Sequence, residues 1–189
     1  AQSLDPARSN TVAVGPAGLD AYEDDDQPAG AQTLVPGTVQ THSLEPDGDI
    51  DWVQFTVREL SEARVWADLL VGAADIVLAL YEDPADAPIR GPAQRAVHAI
   101  LPPGRYWVSV TDGARLNTAP VYALELSVAT AAFLGPDDDE TVERTLSDYT
   151  PEAWVAVADP DGEAATLQVS VRQGTAELGM ALYDEQYRT

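Results

Sequence analysis

The chain has 189 residues, enough for one large or two small β domains, and 45% of them are apolar, enough for a folded core. Its net charge of −22, from 32 acidic and 10 basic residues, has the wrong sign for nucleic acid or an anionic lipid surface, since both need cationic contacts. With no cysteine there is no disulfide, thiol catalysis or Cys-based zinc site, and no apolar run reaches the roughly 20 residues that span a bilayer.

Residues 1–19 hold one short strand-like run, Thr11, Val12, Ala13 and Val14, between Pro and Gly punctuation. The start Ala1-Gln2-Ser3 reads as a mature end left by signal-peptide removal, so the protein is expected to be extracellular. An acidic loop follows, with Asp20, Glu23, Asp24, Asp25 and Asp26. From Thr38 the pattern is β. Ile50, Trp52, Val53, Phe55 and Val57 form a mostly alternating run after the turn Glu45-Pro46-Asp47-Gly48. Residues 65–69 form another, and 76–81 are a continuous apolar strand suited to a sandwich core. Tyr106, Val108 and Val110 alternate after Pro102-Pro103-Gly104, as do Tyr122, Leu124, Leu126 and Val128. Residues 58–64 suffice for one helical turn at most. Short strands divided by Pro, Gly and Asp turns predict an all-β fold of sandwich type.

An internal repeat extends that prediction. Residues 42–57 align with 144–159 at a constant separation of 102, the distance from His42 to Arg144. Without a gap the same separation carries Trp52 onto Trp154, Leu80 onto Leu182 and Tyr81 onto Tyr183. The expected layout is an N-terminal extension at 1–19, a sandwich at 20–132 and a truncated repeat at 133–189: two tandem jelly-roll-like β-sandwich domains, the second incomplete. After Leu80-Tyr81 the first copy has strand patterns near 105–110 and 121–128, which the second lacks. The segment Thr11–Val14 is similar to Val108-Ser109-Val110 and is a candidate donor strand for the unfinished copy.

Four stretches, in order and spacing, resemble the bacterial pre-peptidase C-terminal domain: 20–26 with Tyr22 and Glu23, 48–55 with Asp49, Asp51 and Trp52, 75–81, and 101–110. The resemblance implies a jelly-roll-like sandwich of about a hundred residues, carried by exported proteins beside secreted proteases and not itself catalytic. It also implies calcium or fibrous polymers as ligands in some relatives. The family's Asn within its Tyr-Glu-Pro-Asn segment is absent here, where Asp24 and Asp25 follow Glu23.

Calcium needs six to eight hard oxygens from clustered carboxylates and carbonyls. The acidic loop and the turn at 47–51 supply them if they converge, and the candidate ligands are Glu23, Asp25, Asp26, Asp49, Asp51 and Asp75. Asp47, Asp49 and Asp51 copy the opening of an EF-hand loop, but Trp52 stands where that loop needs Gly. The same residues also read as solvated acidic turns. His42 and His98 are expected at the surface or rim. Trp52 and Tyr81 are expected in the core, and Trp66 or Trp107, if exposed, as contacts for an extracellular polymer. No Gly-x-Ser-x-Gly elbow, His-Glu-x-x-His pair or phosphate loop is present, so no enzyme is expected.

Two functions follow as expectations. The first is a structural protein assembling head to tail into homo-oligomers and filaments, the strand at Thr11–Val14 filling the unfinished sandwich of the next copy. The second is a calcium-binding accessory or targeting module of a secreted hydrolase, cut from a longer chain.

Overall fold

The computed structural model describes residues 20–22, 24–115, 119–131, 133–134 and 155–157. The expected donor strand at Thr11–Val14, the ligand candidate Glu23 and most of the second repeat lie outside them. In chain order the strands are β1 (Gln32–Thr33), β2 (Val39–Ser43), β3 (Ile50–Val57), β4 (Ser61–Val71), β5 (Ile76–Tyr81), β6 (Arg90–Gln94), β7 (Ala96–Leu101), β8 (Gly104–Asp112), β9 (Val121–Thr130), β10 (Phe133–Leu134) and β11 (Ala156–Val157). There is no helix among the described residues.

Along β3 the residues Asp51, Val53, Phe55 and Val57 are buried while their neighbours are not, the period of two expected of a strand with one face on a core. β4, β7 and β9 repeat this alternation. Two such sheets close on each other, one ordered β1-β3-β8-β5-β6 and the other β2-β9-β4-β7. Val53, Phe55 and Leu78 of the first sheet meet Val65, Leu124 and Leu126 of the second in one apolar cluster. The sheets are stapled along one side where β6 turns into β7. There Arg95, at φ 61°, donates its N–H to the carbonyl of Ile76 and accepts from the N–H of Ala67, so one residue bonds both sheets. Gly91 in β6 has φ +86°, and a Cβ there would stand 2.6 Å from the carbonyl oxygen of Leu78, so only glycine fits.

Several details differ from the sequence reading. Residues 58–60 make a bend rather than a helical turn, and β4 begins at Ser61. The strands β6 and β7, one in each sheet, have no counterpart in the sequence reading. Trp52 and Tyr81, expected in the core, lie half-buried on the outer face of the first sheet, their rings 5.2 Å apart. Small Ser109 and Ala79 beneath them leave room for that contact, since the register sets Trp52 beside Ser109 and Ser109 beside Ala79.

The repeat has a structural echo. β1 pairs in parallel with β3, Gln32 beside Val53 and Thr33 beside Gln54. β10 pairs in parallel with β11, Phe133 beside Ala156 and Leu134 beside Val157. Ala156 is the repeat counterpart of Gln54, and each forms part of a short parallel pair, but the two registers differ by two residues: Gln54 stands beside Thr33, whose counterpart is Gly135, whereas Ala156 stands beside Phe133.

Candidate metal centre

Antiparallel register brings the end of β2 and the starts of β3 and β9 to one end of the sandwich. The inward positions there are polar: His42, Asp51 and Tyr122 are all buried. The loop 20–30 folds over them. The N–H of Trp52 donates to the carbonyl of Asp25 at 3.0 Å, and the N–H of Asp25 to that of Tyr22 at 3.1 Å. Gly30 closes the loop so tightly that a Cβ would lie 2.0 Å from the carbonyl oxygen of Asp24.

This loop delivers Asp20, Asp25 and Asp26 to the end of the sandwich, and the turn before β3 delivers Asp49. The Asp20 carboxylate accepts from the N–H groups of Tyr22, at 2.6 Å, and Ser43. Asp49 accepts from the N–H groups of Glu45 at 2.9 Å and Ile50 at 2.8 Å, and the Asp26 carboxylate is close enough to act on it electrostatically. Asp51 lies behind them and accepts the hydroxyl of Tyr122. The His42 ring stacks between Tyr22 and Tyr122, at centroid distances of 4.6 and 5.5 Å. Its Nε2 faces the amide oxygen of Gln40 at 3.2 Å. Its Nδ1 and the Oδ2 of Asp25 face each other at 3.7 Å, too far for a hydrogen bond, and both atoms are buried without a partner.

Crowding acids in a desolvated place disfavours their charged forms. Burial, and then the charges of Asp20, Asp49 and Asp26, push Asp25 up to about 8. Burial, opposed by the Tyr122 hydrogen bond and reinforced by Asp25, Asp49 and Asp20, pushes Asp51 up to about 9. Burial chiefly, with the neighbouring Asp26 adding to it against backbone bonds from Ile50 and Glu45, takes Asp49 up to about 6. Burial drives His42 down to about 4, against the pull of Asp20. At neutral pH the imidazole is therefore neutral and brings no positive charge to the cluster.

Of the sequence candidates, the fold brings together Asp25, Asp26, Asp49 and Asp51. Asp75 is set apart: its carboxylate accepts from Gln94 of β6 at 2.7 Å, and its own N–H donates to Asp112 at 3.0 Å. Strand order places it two strands from β3, roughly 10 Å away. Asp20 joins the cluster although only its neighbours were singled out. His42 is a correction: expected at the surface or rim, it is 0% exposed. His98 is half-buried on the outer face of the second sheet, 2.9 Å from Glu62.

The donor set fits a hard cation: carboxylate oxygens from two segments, one of them orphaned, and mutual repulsion that a cation would relieve. A cavity of about 220 Å³, lined in part by Asp49, Ile50, Asp112 and Arg115, lies beside Asp49. Among the described residues, no three acidic or histidine side chains already stand around one point at metal-ligating distance. Loading would have to draw the carboxylates inward.

No family model and no curated protein matches the chain. Among solved structures it is similar to the pre-peptidase C-terminal domain of a collagenase from Bacillus anthracis, at 17% identity and a TM-score of 0.42, over 51% of this chain and 94% of that one. It is also similar to PliG, a periplasmic lysozyme inhibitor of g-type lysozyme, from Salmonella Typhimurium, at 16% identity and a TM-score of 0.37, over 52% of this chain and 98% of that one. The PliG of Aeromonas hydrophila is similar at 14% identity and a TM-score of 0.31, over 52% and 97%.

Proposed function

We propose that the protein is a non-catalytic, exported β-sandwich module that takes up calcium at one end of its first sandwich and acts as an accessory or targeting unit of a secreted hydrolase. The observation that carries the cation reading is the buried, unpartnered Oδ2 of Asp25 among Asp20, Asp26, Asp49 and Asp51. Asp20, Asp25, Asp26 and Asp49 would hold the ion, and Asp51, tied to Tyr122, would support them from behind. Calcium is favoured over softer metals because the convergent donors are carboxylates, with a single imidazole. Export and the accessory role are supported by the sequence motifs shared with pre-peptidase C-terminal domains. Calorimetric titration of the full chain tests the cation reading. Calcium should bind, and Asp49→Asn should weaken it about tenfold or more. No heat and no change in melting temperature would overturn it.

A second reading has one observation in its favour. β10–β11 is a short parallel pair like β1–β3, with β11 at the repeat position of β3, which supports two tandem jelly-roll-like units, the premise of head-to-tail strand exchange into a filament. Negative-stain electron microscopy of the intact chain and of a variant lacking residues 1–15 tests it. Filaments that vanish on deletion are expected; uniform particles in both samples would sink the idea.

A further inference from the structure

The two outer faces of the sandwich differ in charge. On the second sheet the outward positions carry Glu62, Arg64 and Asp68 of β4 and Glu125 of β9. On the first sheet the adjacent strands β3, β8 and β5 turn Ile50, Trp52, Trp107, Val77 and Tyr81 outward, each at least partly exposed. Uncharged Gln54 stands beside Trp107, and uncharged Thr111 stands between Ile50 and Val77. No outward position of these three strands is acidic, although the chain has 32 acidic residues, and the one charge is Arg105 near the start of β8. An antiparallel sheet with one face on a core ordinarily turns polar residues to water on the other, so this face needs a reason.

Packing within the sheet is not reason enough. The rings of Trp52 and Tyr81 are 5.2 Å apart and tilted by 46°, and Trp107 stands beside Tyr81 across the β5–β8 pair. Such cross-strand pairs contribute roughly 0.2–1 kcal/mol each and do not require acids to be kept away. The repeat also keeps the outward pair where it changes inward residues. Trp52, Ala79 and Tyr81 recur as Trp154, Ala181 and Tyr183, whereas the buried Asp51 and Phe55 become Ala153 and Val157.

We propose that the outer face of β3, β8 and β5 binds an uncharged polysaccharide. The cation at the acidic end has no part in it. A sugar ring presents C–H groups on its faces and hydroxyls at its rim. The faces leave water against Trp52, Tyr81 and Trp107, whose rings are apolar on the face and polar at the tip or edge. The rim hydroxyls meet Thr111 and the amide oxygen of Gln54, whose nitrogen is held by the carbonyl of Ala31 at 2.8 Å. Charge decides against the other polymers. A polyanion is repelled by a net charge of −22, a second copy of the chain brings that same charge, and a polycation is drawn to acids, which this face lacks. Two outward aromatic pairs in one chain suit a ligand whose units repeat. The tilt of the rings makes the platform bent rather than flat, which suits a single soluble strand over a crystal face.

The test is native electrophoresis of the full 189-residue chain in gels containing hydroxyethylcellulose, mixed-linkage β-glucan, galactomannan or gelatin, run in EDTA so that no cation contributes. At least one of the three polysaccharides, all uncharged and soluble, should retard the chain relative to a plain gel. Trp52→Ala and Trp107→Ala should each weaken that binding at least about tenfold, the factor supplied by taking one aromatic side chain out of the contact. Trp66→Ala, on the other sheet, should leave it unchanged. Melting curves establish that each variant is folded. If the alanine variants unfold, Thr111→Arg lays a long side chain across the platform with every aromatic contact kept, and it should weaken binding by a similar factor. No retardation by any of the three polysaccharides would overturn the proposal. Retardation by gelatin alone would overturn it too and assign the face to a polypeptide. Retardation that survives in folded Trp52→Ala, Trp107→Ala and Thr111→Arg would place the sugar elsewhere on the chain and overturn the assignment to this face.

Discussion

The middle and the end of the sandwich are built from the same strands with opposite chemistry. Inward positions of β3 are Val53, Phe55 and Val57 in the middle and Asp51 at the end; those of β9 are Leu124 and Leu126 in the middle and Tyr122 at the end. The middle is stabilised by apolar burial, which is indifferent to pH and ions. The end holds its acids in low dielectric, so its stability depends on what neutralises them. One fold therefore has a part that sets stability and a part that reports on its surroundings.

The largest effect is expected in the middle. Phe55→Ala removes a side chain that is 2% exposed and stands 5.8 Å from the ring of Tyr106. It should cost about 3–5 kcal/mol in urea unfolding. The loss should be equal in calcium and in EDTA. A loss that differed between them would break the division between the two regions.

Gly30→Ala comes next and belongs to the end. The new Cβ would meet the carbonyl oxygen of Asp24 at 2.0 Å, so the loop carrying Asp25 and Asp26 must shift. A cost of about 1–3 kcal/mol is expected. Unlike Phe55→Ala, this change should abolish most of the response to calcium. For the unmodified chain that response is about 2.7 kcal/mol when calcium is a hundredfold above its Kd.

The dependence on pH sharpens the contrast further. Asp25, Asp49 and Asp51 keep their protons in the fold to about 8, 6 and 9, whereas the unfolded chain releases them near 3.8. Between those limits the folded state binds more protons, so stability falls as pH rises. His42 works in the opposite sense between about 4 and 6.5, where only the unfolded chain protonates it. The metal-free melting temperature should therefore fall most plainly above pH 6.5 and up to about 9, and calcium should reverse the slope. Asp25→Asn removes one of the titrating groups: it should flatten the fall and lose the calcium response together. A metal-free protein that grew more stable from pH 6.5 to 9 would contradict the carboxyl assignment.

Strands with a clean alternation were legible in the sequence, and so was the meeting of the acidic loop with the turn before β3. The phase of β3 was not. Trp52 and Val53 are adjacent and both apolar, so alternation admits either facing, and Asp51 turns inward because Tyr122, far along the chain, bonds it. His42 was misread for the same reason: its burial depends on Tyr22 and Tyr122 stacking on either side, a contact no local pattern carries. Asp75 was grouped with the ligands because sequence cannot give strand order. β6 escaped notice because Gly91 and Pro92 argue against a strand, and an edge position is where proline is tolerated.

The smallest expected effect lies on a third surface, which serves as the control. Arg64 on the outer face of β4 stands 5.2 Å from the ring centre of Trp66, over its face. The contact is partly exposed and on the face of β4 turned away from the core, so Arg64→Ala should cost about 0.5–1 kcal/mol. The same shift in urea midpoint should appear in calcium and in EDTA, and at pH 6.5 and 9. If the shift grew in EDTA or at high pH, the outer face of the second sheet would be coupled to the acidic end. The two-region division would then have to give way to a cooperative unit reaching across the whole sheet.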